Sequence, residues 1–61
     1  MSNMFPVRFT DEQKADALRR EIKFRHSVYE RRVADRRMSQ QKMDYEIAVF
    51  EAILADYEER L

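Results

Sequence analysis

Apolar side chains recur in a heptad pattern along the last third of this chain, and that pattern limits the fold more than any other feature. They are separated by four, three, four, three and four positions, at Met43, Ile47, Phe50, Leu54, Tyr57 and Leu61. This spacing places one apolar side chain on the same side of an α-helix at each turn. The pattern therefore predicts a long helix with one apolar seam that packs against another helix.

An earlier segment carries a second seam of the same length, with spacings of three, four, four, three and four positions. Its members are Ala15, Leu18, Ile22, His26, Tyr29 and Val33. If the chain reverses near Met38, the two seams pair in register without a slip. His26 then faces Phe50, as a packed, hydrogen-bonded or partly exposed core histidine rather than a metal ligand, and Ala15 faces Leu61 at the far end. The matching seams predict an antiparallel two-helix hairpin in an all-α protein.

Local signals set the helix limits. Thr10 and Gln13 have the spacing of a capping box, in which each side chain accepts a hydrogen bond from the other residue's backbone amide. Ser39 is the expected N-cap of the second helix. We therefore predict an extended arm at residues 1–9 and a helical hairpin at residues 10–61, with helices over about 11–36 and about 40–60 and a turn at about 36–39.

Length and composition exclude several other classes of protein. With 61 residues the chain is large enough for one small domain only, and without cysteine it has no disulfide or thiolate metal site. No apolar run approaches the roughly 20 residues that cross a bilayer. The first residues, MSNMFPVRF, lack the apolar core of a signal peptide. We therefore expect a cytoplasmic protein that does not enter a membrane.

Each predicted helix also carries apolar side chains outside its seam. They are Ala17, Phe24 and Val28 on the first helix, and Tyr45, Val49, Ala52 and Ile53 on the second. Projected at about 100° per residue, they lie roughly 100–140° from the seams, so a hairpin by itself would leave them in water. We expect them to pack against a second copy, most simply in a dimeric four-helix bundle. Burial against a different protein would satisfy the same side chains.

Charge is divided between the two helices although the net charge is zero. Residues 19–37 contain eight basic and three acidic side chains, whereas residues 38–61 contain two and six. The simplest interpretation is a basic helix against an acidic one, with the charged side chains on solvated faces. Arg20, Lys23 and Arg31 share the side of the first helix away from its seam, where they are candidates for binding a partner.

Nucleic-acid binding is the alternative function. A neutral chain whose basic side is interrupted by Asp16 and Glu30 should bind phosphates weakly, unless dimerisation doubles the surface. In the opposite version of this alternative, the chain mimics DNA and its acidic second helix occupies a basic groove. The residues that would do so are Asp44, Glu51, Asp56, Glu58 and Glu59.

The sequence contains no pattern typical of an active site. His26 is the single histidine, and zinc sites use three or four protein ligands, mostly His and Cys. Glu58 and Glu59 are adjacent and point to different sides of a helix, which is unsuited to an acid–base pair. Without glycine there is no phosphate-cradling loop. We expect a protein that is not an enzyme and uses no metal or cofactor.

The arm offers a further apolar surface. Phe5, Val7 and Phe9 alternate with Pro6 and Arg8, so the three apolar side chains can face one way. They either cover the end of the helical core or present a hook to a partner. Taken with the absence of catalytic patterns, these surfaces favour a self-associating helical module that binds another macromolecule, most simply a protein.

The segment from Arg20 to Tyr57 resembles small uncharacterised proteins encoded by bacteriophages and prophages. The resemblance covers about 38 of the 61 residues and rests on Arg20-Glu21-Ile22, Val28-Tyr29, Met38-Ser39, Glu46-Ile47-Ala48 and Glu51-Ala52-Ile53. Members of that group often have a glycine in the turn between the helices, where this chain has Asp35-Arg36-Arg37, and a proline where it has Glu30. The resemblance implies a phage or prophage setting but no activity, because no function is established for that group. In such a setting, we expect the helical module to be a small accessory or regulatory protein that acts on a protein partner.

Overall fold

The computed structural model of the chain describes residues 8–61. Within this range the chain forms two α-helices and no strand: α1 spans Asp11–Ala34 and α2 spans Gln40–Glu58. The helices pack against each other along their lengths, which confirms the all-α class and the helical hairpin. The predicted roles of Phe5 and Val7 lie outside the described residues.

The capping box predicted at the start of α1 is present. The Thr10 backbone N–H donates to Gln13 Oε1 at 2.8 Å, and the Gln13 backbone N–H donates to Thr10 Oγ1 at 3.0 Å. Asp11 and Glu12 occupy the first turn, where their negative charge complements the helix dipole. These local interactions explain why α1 begins where the sequence predicts.

The helix α1 ends at Ala34, two residues before the predicted end, because the backbone forms a left-handed C-terminal cap. Arg36 has a φ of 62°, and its N–H donates to the Val33 carbonyl at 3.0 Å. The Arg37 N–H donates to the Arg32 carbonyl at 2.8 Å. These two hydrogen bonds form a Schellman motif, in which glycine usually occupies the left-handed position. This chain places an arginine there.

The second helix is capped by a side chain as the sequence predicts. Ser39 Oγ accepts a hydrogen bond from the Lys42 backbone N–H at 3.0 Å. Lys42 Nζ also lies 3.0 Å from Glu46 Oε1, one turn further along the helix. The first turn of α2 contains no acidic residue, so the cap and this ion pair stabilise its start instead of favourable charge–dipole contacts.

The main cluster of buried side chains lies in the half of the hairpin nearest the turn. Its three buried members are Tyr29, Met43 and Ile47, and the half-buried side chains that pack against them are Val28, Val33 and Met38. Near the other end, Ala15 is fully buried. Residues from both helices thus form one small core that spans the seam, which holds the helices antiparallel.

Two predictions about the seam are wrong. His26 is exposed, and Arg25 is half-buried in its place, with its guanidinium carbon 4.3 Å from the centroid of the Phe50 ring. Leu61 lies three residues beyond the end of α2 and is 61% exposed, so it is not a buried member of the seam. The long Arg25 side chain covers the aromatic ring while its charged end reaches polar partners, and the shorter His26 points to solvent.

Candidate interaction surface

A contact between Arg19 of α1 and Glu58 of α2 identifies the two faces of the hairpin. Arg19 Nη2 donates to Glu58 Oε2 at 2.9 Å, across 39 positions of sequence. On α1, Arg19 lies about 80° from the centre of the seam in one direction, whereas Phe24 and Val28 lie about 100–140° from it in the other. Phe24 and Val28 are therefore on the face of the hairpin opposite this ion pair.

The same contact orients α2. Glu58 lies about 60° from the centre of the α2 seam, and Val49 and Ile53 lie about 80–120° from it on the opposite side. One face of the hairpin thus carries apolar residues from both helices. We call this the apolar face, and its members are Phe24, Val28, Val49 and Ile53. The remaining apolar residues outside the seam lie further along or at the outer edges of this face: Ala17, Tyr45 and Ala52.

The register places residues of the apolar face side by side. Phe24 and Ile53 are each five residues from the ion pair, measured toward the turn, so in antiparallel helices they lie at the same height. Val28 and Val49 follow four residues nearer the turn on each helix. The four side chains therefore lie on one face across both helices, with the ion pair between Arg25 and Glu21 beside Phe24 on the side toward α2.

Most of the apolar face is open to solvent. Phe24 is 62% exposed, Tyr45 64%, Val49 40% and Ile53 39%. Val28 is half-buried because it also packs against the core cluster. The hairpin thus exposes a phenylalanine and two aliphatic side chains on one face.

Arg25 lies between the apolar face and the seam, and it is held there by two hydrogen bonds. Its Nε donates to Glu21 Oε1 at 2.8 Å and its Nη1 donates to the Tyr29 hydroxyl at 2.6 Å. The bond with Tyr29 is the main cause that raises the pKa of the Arg25 guanidinium above its ordinary value. The guanidinium of Arg25 also lies over the Phe50 ring, so this side chain connects α1 to α2 at the edge of the core.

The opposite face of the hairpin is polar. Arg19 bonds Asp16 Oδ1 at 2.7 Å as well as Glu58, and the hydrogen bond with Glu58 raises the pKa of the Arg19 guanidinium. At the open end, Arg60 Nη1 lies 3.6 Å from Asp11 Oδ1. Of these pairs, Arg19 with Glu58 joins a basic side chain of α1 to an acidic one of α2, in agreement with the division of charge in the sequence, whereas the pair of Arg60 with Asp11 has its charges the other way round.

The predicted basic residues form a ridge on α1 that faces away from α2. Arg20, Lys23 and Arg31 are all exposed, and none forms a salt bridge with any residue from 8 to 61. Asp16, which interrupts this side in the sequence, is engaged by Arg19. We call Arg20, Lys23 and Arg31 the basic ridge. Its charges are available to a negatively charged surface.

Phe9 lies beside the start of α1. Its side chain is 49% exposed and lines a shallow groove of about 250 Å³ with Gln13, Lys14 and Ala17. The ammonium nitrogen of Lys14 also lies 5.4 Å from the centroid of the Tyr57 ring. Among the predicted arm contacts, Phe9 is thus the one that the structure locates, and it is close to Ala17 at the end of the apolar face.

The acidic residues of α2 that a DNA mimic would use are exposed, and they include Glu58, which is paired with Arg19. Over residues 8–61, no three or more His, Asp or Glu side chains are grouped so that they could hold a metal ion. Neither helix in this range is both long and apolar enough to span a bilayer.

Comparison of the chain with protein-family models, with curated proteins and with solved structures finds no match.

The sequence patterns missed two arginines that shape this surface. Apolar spacing assigns the seam position opposite Phe50 to His26, yet Arg25 lies next to Phe50 instead. A spacing of three after Ile22 would have reached it, since a heptad allows either step. Arg36 takes the left-handed position at the end of α1, where no local signal points to arginine.

Proposed function

We propose that this protein is a non-catalytic helical module that associates with a second copy through the apolar face and binds a protein partner. The observation that carries this proposal is the exposure of Phe24, Tyr45, Val49 and Ile53 on a single hairpin. We propose that it is an accessory or regulatory protein of a phage or prophage.

The gain from covering the apolar face supports self-association. Burying a side chain of this size is worth about 1.5–3 kcal/mol if it is fully exposed beforehand. Phe24 and Ile53 are each partly exposed, and in a two-fold dimer each contributes twice. The hairpin core is small, with three buried members in its cluster, so this additional burial would supply a substantial part of the stability of the fold.

The size of the face also fits a second copy. A helix of 19 residues is roughly 28 Å long and two adjacent helices are roughly 20 Å wide. A surface of that size is of the order of the ~800 Å² that each partner buries in a standard interface. A second hairpin is as long and as wide, so it covers the apolar face without leaving an uncovered end.

The basic ridge is the surface that we propose for a partner, because it lies on the side of α1 away from α2, where Arg20 and Arg31 border Phe24. An exposed cationic row without salt-bridge partners among residues 8–61 suits an acidic protein surface. Nucleic acid is less suited, since the chain is neutral and α2 is acidic, so counterion release from phosphates would be offset by repulsion.

Solution mass tests the self-association. We expect light scattering to give a dimer for the wild type and a monomer or unfolded chain for both Phe24→Asp and Ile53→Asp. Matched controls place the same charge on exposed positions away from the apolar face: Ser27→Asp on α1 and Ala48→Asp on α2. A helical monomeric wild type, or controls that dissociate as readily as the test variants, would contradict the proposal.

Salt dependence separates a protein partner from nucleic acid. A fluorescent DNA duplex titrated with the wild type should show no binding at physiological salt. Tight binding that falls steeply with salt, and that is lost when Lys23 and Arg31 are changed to Glu, would instead establish the nucleic-acid alternative. The same charge-reversed variant should remain a dimer, because it leaves every side chain of the apolar face unchanged.

A further inference from the structure

We infer that the two copies pack with α1 of one copy on α2 of the other, so that Phe24 of each copy contacts Ile53 of the other and Val28 contacts Val49. This inference rests on the self-association proposed above and adds the order of the helices in the bundle. It therefore assigns specific contacts between copies to four residues.

Two-fold symmetry allows two ways to stack these hairpins face to face. With the axis parallel to the helices, α1 lies on α2 of the other copy. With the axis perpendicular to the helices, α1 lies on α1 and α2 on α2. Neighbouring helices are antiparallel in both arrangements, so the helix dipoles do not distinguish them.

The charges of the helices do distinguish the two arrangements. The α1 segment, Asp11–Ala34, contains seven basic and five acidic side chains, and the α2 segment, Gln40–Glu58, contains one basic and five acidic. Stacking like on like would bring the two acidic α2 helices together and the two basic α1 helices together. Stacking α1 on α2 places net positive against net negative charge twice, which favours that arrangement.

A specific pair of residues reinforces this choice. Arg32 lies on α1 one turn beyond Val28 on the side of the apolar face, and Glu46 lies on α2 one turn from Val49 toward the same end. Arg32 forms no salt bridge within residues 8–61, whereas Glu46 is paired with Lys42 of its own helix, so Arg32 of the other copy would join an existing ion pair. When the axis is parallel to the helices, the loops that join α1 to α2 in the two copies are at the same end of the bundle. Arg32 of one copy then lies beside Glu46 of the other.

The heights of the apolar residues are also matched in this arrangement. Rotation about an axis parallel to the helices leaves every residue at its own height. Phe24 is therefore level with Ile53 of the other copy, as it is with its own Ile53, and Val28 is level with Val49. Adjacent helices are about 8–10 Å apart, so side chains that face each other at one height are within disulfide reach.

Cysteine cross-linking tests the arrangement, and the chain suits it because it contains no cysteine of its own. We would prepare Phe24→Cys and Ile53→Cys separately, mix them under reducing conditions to exchange partners, and then oxidise. Diagonal helices of a four-helix bundle are about 12–14 Å apart. We therefore expect a disulfide-linked dimer in the mixture and none above background in either variant alone. Val28→Cys and Val49→Cys form a second pair, used in the same way if Phe24→Cys is not folded.

The outcomes separate this inference from the proposed self-association. A monomeric wild type would overturn both. A dimeric wild type whose mixed variants fail to cross-link in both pairs, or whose Phe24→Cys or Val28→Cys cross-links with itself, would overturn the helix order while leaving the dimer intact. Exchanging the two charges provides a second measurement. Arg32→Glu and Glu46→Arg should each raise the dissociation constant of the dimer, and the double variant should recover part of the lost affinity between copies.

Discussion

The Arg25 guanidinium lies over the Phe50 ring, with 4.3 Å between the guanidinium carbon and the ring centroid. This contact joins the two helices at the middle of the hairpin, at the position where apolar spacing places His26. It shows how a charged side chain can fill a seam when its aliphatic part covers an aromatic ring and its polar end is hydrogen-bonded.

We first predict that Arg25 contributes more to stability than His26. Arg25→Ala removes the contact with Phe50 and the hydrogen bonds to Glu21 and Tyr29, so the urea midpoint should fall clearly. His26→Ala changes an exposed position and should leave the midpoint nearly unchanged. Chemical denaturation followed by circular dichroism, at one protein concentration, measures both. A larger fall of the urea midpoint for His26→Ala than for Arg25→Ala would contradict this prediction and support the seam that the sequence alone predicts.

We also predict that Arg36→Gly stabilises the protein. Arg36 has a φ of 62°, a conformation that costs a residue with a Cβ atom about 1 kcal/mol more than glycine. The gain should be about 0.5–1 kcal/mol in the free energy of unfolding.

The control for this change is Arg37→Gly, which removes the same charge from the next residue. Arg36 is the one residue of 8–61 with a positive φ, so glycine at position 37 should be neutral or destabilising. Thermal unfolding of the two variants and the wild type separates the effect of the backbone conformation from that of the lost charge. Equal shifts of the melting temperature would mean that the lost charge, and not the backbone, is responsible.

A third prediction concerns the ion pair between Arg19 and Glu58. Glu58 ends α2, where the helix dipole disfavours a carboxylate, and Arg19 is its cross-helix partner. Arg19→Gln leaves that carboxylate unpaired and should destabilise more than Glu58→Gln, which removes both the attraction and the unfavourable charge.

A double-mutant cycle with Arg19→Gln/Glu58→Gln isolates the coupling between the two residues. Both side chains are more than a third exposed, so the coupling should be small and should vanish at about 1 M salt. A coupling that survives such salt would show that the pair is held by more than its charges.

Our fourth prediction is that the N-cap of α1 depends on the hydroxyl of Thr10. Thr10→Ala should cost about 1 kcal/mol of unfolding free energy, because the Gln13 amide loses its acceptor. Thr10→Ser keeps the hydroxyl and should be close to wild type. If both substitutions cost the same, the methyl group of Thr10 rather than the cap would be the stabilising feature.

Several features of the fold could be predicted from the sequence because their causes are local or periodic. The capping box at Thr10 involves two residues three positions apart, and Ser39 needs only the next turn of its own helix. The α2 seam repeats without a polar interruption, so its heptad spacing identifies the helix and its packed side. The end of α1 was predicted less well, because it depends on the backbone at Arg36, where no glycine marks the left-handed position.

The candidate site was predictable in composition but not in arrangement. The apolar residues outside the seams can be found by projection on each helix separately. Whether these apolar residues of α1 and α2 share one face depends on how the two helices pack against each other, which the contact between Arg19 and Glu58 reveals and neither helix determines alone. The structure brings Phe24 and Val28 beside Val49 and Ile53, and it leaves the basic ridge on the far side of α1.

By itself the sequence determined the two helices, their caps, the antiparallel pairing and the segregation of charge, because each follows from short-range hydrogen bonds, from periodicity or from composition. Only the tertiary structure decided between Arg25 and His26 at the seam. A heptad permits a step of three or four after Ile22, and the choice depends on whether a side chain can reach Phe50 and still satisfy its charge. The same packing decided which side of the hairpin carries the apolar face, since that requires both helices at once.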